Sequence, residues 1–221
     1  MDELVLPAAQ AHAAVHTTAF DGAALAAARW TAANTENPQM MAGLAEARLL
    51  EALIVVGAAR RVLEIGTFTA VGALSMAAAL GDGGRLTTVE LDPENAAVAR
   101  RHIEASPHRD RVELIVGDAL TVVAGLEGPF DVVWIDAWKA DYPAYYDLVL
   151  PKLADRGVIV ADNLFRAGLA LDPGASDPGV RGVLEFARRV DEDERVHNVL
   201  LTIGDGVMLA WRSRAAAPPQ F

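Results

Sequence analysis

The sequence has no cysteine, an absence that excludes disulfides, thiolate metal sites, cysteine nucleophiles and thiol redox chemistry together. Any metal must be held by oxygen or imidazole. Basic residues are scarce: 19 Lys+Arg face 30 Asp+Glu, a formal net charge of −11. That is the wrong sign for neutralising phosphate backbones, so no nucleic-acid partner is expected. No apolar run approaches the roughly 20 residues that span a bilayer. Met1-Asp2-Glu3-Leu4 is acidic where a secretory signal needs a basic start. A cytoplasmic location without membrane association is therefore expected. What is present is 221 residues, 52% hydrophobic and 22% charged, material for one buried core. Residues 1–221 are expected to form a single domain.

The chain changes texture along its length. Residues 8–33 are alanine-rich with a turn signal at Asp21-Gly22, and Pro38 sets up a further helical stretch from about Met40 to Val56; residues 1–57 thus read as leader helices. From Arg61, short apolar strands alternate with helical segments, which predicts a parallel sheet covered on both faces. The strand candidates are Arg61–Ile65, Arg85–Leu91, Arg111–Val116, Phe130–Ile135 and Gly157–Ala161, and the helices Ala70–Leu80, Pro93–Ala105, Ala119–Gly125 and Tyr142–Leu153. The Pro- and Gly-rich run from Leu171 to Gly179 reads as a loop over the sheet's edge. A helix at about Val180–Val190 follows, and His197–Ile203 and Val207–Trp211 then flank Gly204-Asp205-Gly206 as an antiparallel hairpin. Residues 61–212 are the expected α/β core, and the tail Ala215–Phe221 is expected to fray.

Three polar stops mark the carboxyl ends of the first three strands, where open α/β sheets bind ligands. The first strand runs into Glu64-Ile65-Gly66-Thr67-Phe68-Thr69-Ala70-Val71-Gly72, a small-residue turn opening a helix, where a ligand can approach the backbone. Phe68 stands where a G-x-G-x-x-G fingerprint needs its second glycine, which disfavours a nicotinamide dinucleotide. The second strand ends at Glu90, placed to accept from both ribose hydroxyls of a nucleoside. The third ends at Gly117-Asp118-Ala119, where the acid can receive an adenine amino group or cap the next helix.

Strands four and five deliver Asp136-Ala137-Trp138-Lys139 and Asp162-Asn163. Asp136, Asp162 and Asn163 would converge as three oxygen donors, a set suited to a hard cation such as Mg²⁺ with positions left for a vicinal diol. Lys139 falls on the same rim as a candidate general base. His12 and His16 have the i, i+4 spacing of zinc pairs but no third ligand nearby, and Arg166 follows the Asp162-Asn163 pair.

From Met40 to Trp211 the chain resembles the cation-dependent O-methyltransferases, the group of the caffeoyl-CoA enzymes and catechol O-methyltransferase. Val62 to Thr69 is similar to their first motif, and Asp162-Asn163 to their metal pair. The resemblance implies a Rossmann-like seven-stranded methyltransferase sheet with leader helices and a C-terminal hairpin, S-adenosylmethionine (SAM) as cofactor, and a divalent cation, Mg²⁺ first with Mn²⁺ or Ca²⁺ as substitutes. It implies a small phenolic or catecholic acceptor and a homodimer. By resemblance Asp136, Asp162 and Asn163 are metal ligands and Lys139 the catalytic base. Trp138 is an adenine neighbour, and Met40 and Ala42 cover the methionine portion of the cofactor. With Glu64, Gly66, Thr67, Phe68, Gly72, Glu90, Asp118, Ala119 and Asp136 these make the cofactor site. Trp138, where caffeoyl-CoA enzymes carry Asp, leans toward the catechol branch. Three positions depart from the family: Ala70 replaces a glycine, Gly72 replaces a serine that serves the cofactor carboxylate, and Val199 falls where the catechol enzyme has a glutamate for the second hydroxyl. The rival readings are a SAM-binding regulator without catalysis and an NAD-dependent dehydrogenase.

Overall fold

The computed structural model describes residues 6–172 and 174–213. Pro173, the acidic start Met1–Leu4 and the tail Ala215–Phe221 lie outside the described residues. Helices α1 (Pro7–Val15), α2 (Gly22–Asn34) and α3 (Leu44–Gly57) lead into strand β1 (Arg61–Ile65). Then come α4 (Val71–Ala79), β2 (Arg85–Glu90), α5 (Pro93–Glu104), β3 (Val112–Val116), α6 (Ala119–Gly125), β4 (Phe130–Ile135) and α7 (Tyr142–Val149). Strand β5 (Leu153–Ala161), α8 (Pro178–Glu192), β6 (Val196–Leu201) and β7 (Val207–Arg212) complete the chain. The sheet order is β3-β2-β1-β4-β5-β7-β6, with β1 to β5 mutually parallel and β7 antiparallel to both neighbours. The expected seven-stranded α/β sheet with leader helices and a terminal hairpin is therefore present.

Alternation along the strands makes two cores, because successive side chains leave opposite faces. Leu63, Ile65, Val133 and Ile135 face α6, α7 and α8. Val62, Val132 and Trp134 face α2, α3, α4 and α5. Leu50 and Ile54 of α3 are fully buried in the second core, which contributes about 1.5–3 kcal/mol per side chain and makes the leader part of the sheet's packing. Helix α1 has no buried residue.

Several boundaries differ from expectation. The helix expected from Met40 begins at Leu44, because Pro38–Met40 forms a short 3-10 turn and Gly43 is the extended N-cap. The helix expected to reach Leu153 stops at Val149, since Pro151 cannot continue it, and β5 starts directly at Leu153. Ahead of the Leu171–Gly179 run, the segment that follows Asn163 is tied to the terminal hairpin. Leu164 N and Phe165 N donate to the carbonyls of Gly206 and Asp205, which fastens that segment to the hairpin turn beside the strand ends.

Candidate active site

The turn after β1 is built so that a ligand can lie against it. Gly66 has φ +100, and a Cβ there would fall 2.3 Å from the Asp136 carbonyl oxygen, so glycine is required on both counts. Phe68 and Ala70 also hold positive φ, at 49° and 72°. The strained turn is secured from two sides. Glu90 Oε2 accepts from Thr67 N at 3.2 Å and Phe68 N at 2.7 Å, and its Oε1 accepts from Asp92 N at 2.9 Å. From the leader, the buried hydroxyls of Thr31 and Thr69 meet at 2.7 Å.

Beneath the turn, Glu64 is fully buried with no cationic partner among the described residues, and burial pushes its carboxyl up to about 8. Thr88 donates to its Oε2, and Thr67 and Thr88 share a further hydroxyl contact. A Cβ at Gly72 would lie 2.7 Å from Glu64 Oε1, so the serine of the resembling family does not fit beside this carboxyl as it stands. Burial also raises Glu90, against the lowering effect of its three backbone donors. Asp118 caps α6, accepting from Leu120 N and from the Thr121 hydroxyl, each at 3.1 Å.

Beyond these lies an acidic group around one ammonium. Lys139 Nζ donates to Asp136 Oδ1 at 2.6 Å. Tyr142 donates its hydroxyl to the carbonyls of Ile135 (3.0 Å) and Asp162 (3.1 Å), tying the ends of β4 and β5 together. Asp162 is buried, and its Oδ1 accepts only from the adjacent Asn163 N, at 2.7 Å. Desolvation first, then the negative charges of Asp136 and Glu46, hold Asp162 well above the usual carboxylate range. Desolvation likewise raises Asp136, with Lys139 opposing. Glu46 of α3 is buried next to Gly204 and is raised by the same causes, burial first and then Asp136 and Asp205.

Glu64, Glu90, Asp118, Asp136, Lys139 and Asp162 line one open cavity of about 1140 Å³. Residues 16–213 match the O-methyltransferase family. The chain belongs to that family and is an O-methyltransferase. It is 32% identical over 200 residues to a catechol O-methyltransferase of Niastella koreensis, covering 86% of this chain and 90% of that one. Among solved structures it is similar to the O-methyltransferase TomG of Streptomyces achromogenes in complex with SAM, with 29% identity, TM-score 0.86, and 97% and 100% of the two chains covered. It is also similar to the SAH-bound methyltransferase PaMTH1 of Podospora anserina, with 25% identity, TM-score 0.87, and 95% and 99% covered.

Every residue expected at the site lines this cavity: Met40, Ala42, Glu64, Gly66, Thr67, Phe68, Gly72, Glu90, Asp118, Ala119, Asp136, Trp138, Lys139, Asp162 and Asn163. Two of them carry an additional structural duty, since Glu90 organises the β1 turn and Asp118 caps a helix. Val199 does not line it; it lies mid-strand on the edge strand β6, opposite Leu209. The acid that the hairpin brings to the cavity is Asp205, in the turn. Gln10, Asn95, Asp141 and Tyr145 also line the wall and were not expected there. The Gly-Asp-Gly turn was a usable signal for Asp205, whereas Glu46 gave none, since it reaches the acidic group only through the packing of α3. His12 and His16 stack at 4.5 Å on α1. Among the described residues no three carboxylate or imidazole side chains gather as a metal site. The expected trio differs in kind: two carboxylates and an amide. No helix among the described residues is long and apolar enough to cross a membrane.

Proposed function

We propose that the protein transfers the methyl group of SAM to a hydroxyl of a small catechol-type or phenolic acceptor, with a divalent cation held by Asp136, Asp162 and Asn163. Mg²⁺ is the first choice and Mn²⁺ or Ca²⁺ the substitutes. The observation that carries the proposal is the buried Asp162 carboxyl, which faces the negative charges of Asp136 and Glu46 with the single Lys139 ammonium opposing them, and whose one donor among the described residues is the Asn163 amide. A buried acidic group of that kind is costly unless a cation joins it. Two carboxylates and an amide oxygen are hard donors that suit Mg²⁺ and leave room for a bidentate diol.

For the cofactor, the fit rests on the glycine-backed turn over Gly66, on Glu64 without a cationic partner, and on Glu90 and Asp118 at adjacent strand ends. Glu64 is suited to the ammonium of the methionine portion, Glu90 to the ribose hydroxyls, and Asp118 to the adenine edge. Trp138, exposed on the rim, offers a face for the adenine. The cation, when bound, makes an acceptor hydroxyl more acidic than the pKa of about 10 of a free phenol. Lys139 is assigned to take that hydroxyl's proton, a role that requires its ammonium, now held by Asp136, first to lose a proton of its own. The walls orient the acceptor oxygen toward the methyl group, so that much of the acceleration is positional.

Calorimetry with S-adenosylhomocysteine and with NAD, followed by product analysis on a catechol panel with SAM and Mg²⁺, tests the proposal. Cofactor binding and a monomethyl ether are expected. Binding of NAD in place of the homocysteine nucleoside, or no ether from any phenol, contradicts it.

A further inference from the structure

Two cationic side chains line the cavity among the described residues, and they are held very differently. Lys139 is committed to Asp136 at 2.6 Å. Arg166 is not committed. Among the described residues its one carboxylate within ion-pair distance is Asp177, at 3.8 Å, itself half exposed and already serving as the N-cap of α8 through Val180 N. Arg166 Nε is sealed from solvent and has no hydrogen-bond partner among the described residues. A guanidinium carries five donors in a planar fork matched to a carboxylate, and here that capacity is unused.

The backbone holds this side chain in place at a cost. Arg166 and Ala167 both adopt positive φ, 50° and 53°, ahead of Gly168 at 86°. Left-handed backbone at consecutive non-glycine residues persists only where the surroundings impose it. Here they do: Asp205 Oδ1 accepts from Ala167 N at 2.7 Å, and the Asp205 carbonyl accepts from Phe165 N at 2.8 Å. Asp205 Oδ1 thus serves the loop's amide, and its carboxylate lies outside ion-pair distance of the guanidinium, though near enough to feel its charge. Opposite, a Cβ at Gly179 would come within 3.3 Å of Nε and Nη2, so glycine there leaves the guanidinium its space.

Resting on the catechol reading of the acceptor, we propose that Arg166 is the specificity-determining residue of the acceptor subsite and selects aromatic acceptors that bear a carboxylate. The remaining charged groups of the wall are mostly acidic and would repel such a ligand, so the preference falls on this one side chain. The side chain is partly exposed, and no hydrogen bond among the described residues occupies its terminal nitrogens, so a carboxylate in the cavity can meet that end of the fork.

The test compares 3,4-dihydroxybenzoate with 3,4-dihydroxybenzyl alcohol in the wild type, Arg166→Met and Arg166→Lys. Turnover with SAM and Mg²⁺ is measured alongside calorimetric binding of both compounds and of 4-hydroxybenzoate to the protein loaded with S-adenosylhomocysteine. The expected result is a carboxylate preference in kcat/KM of tenfold or more in the wild type. It should be abolished in Arg166→Met and partly restored in Arg166→Lys, which keeps the charge without the fork. Thermal melting confirms folded variants, and the lysine variant keeps the test decisive if the methionine one is unstable. Equal use of both catechols by the wild type, or a preference that survives in both variants, overturns the proposal and leaves the catechol reading standing. Absence of ether from either catechol, with 4-hydroxybenzoate binding lost in Arg166→Met, overturns the catechol reading alone. No binding of any of the three overturns both.

Discussion

The Lys139 ammonium donates to Asp136 Oδ1 across 2.6 Å, with both side chains largely shielded from water. The same two residues are assigned to the proton and to the cation, so the pair is where the account is most exposed to mutation. Lys139→Met is expected to lower kcat by about a hundredfold or more, the range for losing a positioned base. The rate should partly recover as pH rises, because hydroxide replaces the missing acceptor of the proton. A pH–rate profile parallel to wild type would place Lys139 outside the chemistry.

Glu64 is expected to make cofactor binding pH-dependent. Its carboxyl is raised to about 8 by burial, so near pH 7 it is protonated in the free protein. The sign for stability follows: a raised carboxyl stabilises the fold fully below its unfolded value near 4.5, and that stabilisation is lost as pH climbs through about 8. A ligand ammonium reverses the preference, so affinity for SAM should rise between pH 6 and 8 with release of a proton on binding. Calorimetry in two buffers of different ionisation enthalpy measures that release. Glu64→Gln should abolish it; a release unchanged in the variant would assign the proton elsewhere.

Glu90→Ala has two expected consequences. It removes one acceptor from three backbone amides, and with it the carboxylate assigned to the ribose, and hydrogen bonds to a charged group contribute about 1.5–3 kcal/mol. Thermal melting should fall and affinity for S-adenosylhomocysteine should weaken by about that amount. Loss of stability with wild-type affinity would confine Glu90 to organising the turn.

Ala58 ends α3 at φ 49 with its side chain exposed, a left-handed position that glycine occupies without strain. Ala58→Gly should stabilise the protein by about 0.5–1 kcal/mol, after the greater entropy of glycine in the unfolded chain is deducted, and leave turnover alone. Urea unfolding checks it; a fall in stability would mean the alanine methyl packs in a way its exposure does not reveal.

Much of this site was legible because it sits at strand ends. The strands announce themselves as short, mostly apolar runs, and the residues that follow or end them, Gly66, Glu90, Asp118, Asp136 and Asp162, are placed at one edge of the sheet by the parallel topology alone. What sequence could not carry was contact between distant elements. Glu46 belongs to a leader helix and reaches Asp162 only through packing. Asp205 reaches Ala167 through a loop whose path depends on backbone bonds to Gly206 and Asp205. Val199 failed for the complementary reason: similarity of position along a strand does not fix which part of an edge strand reaches the cavity. The shift of the α3 start from Met40 to Leu44 is local, set by Pro38 and Gly43, and lies within the scatter of helix ends.

The central claim is that a divalent cation held by Asp162 and its neighbours drives methyl transfer from SAM to a catechol oxygen. The most direct measurement is the rate of monomethyl ether formation as Mg²⁺ is titrated into chelator-treated protein, for the wild type and Asp162→Asn, with affinity for S-adenosylhomocysteine measured in parallel. Saturable activation of the wild type is expected, with at least hundredfold weaker activation in the variant and cofactor affinity within about tenfold of wild type, since Glu90 and Asp118, assigned to the nucleoside, are not among the residues assigned to the cation. Full turnover by chelated wild-type protein, or Mg²⁺ activation unchanged in Asp162→Asn, would contradict it.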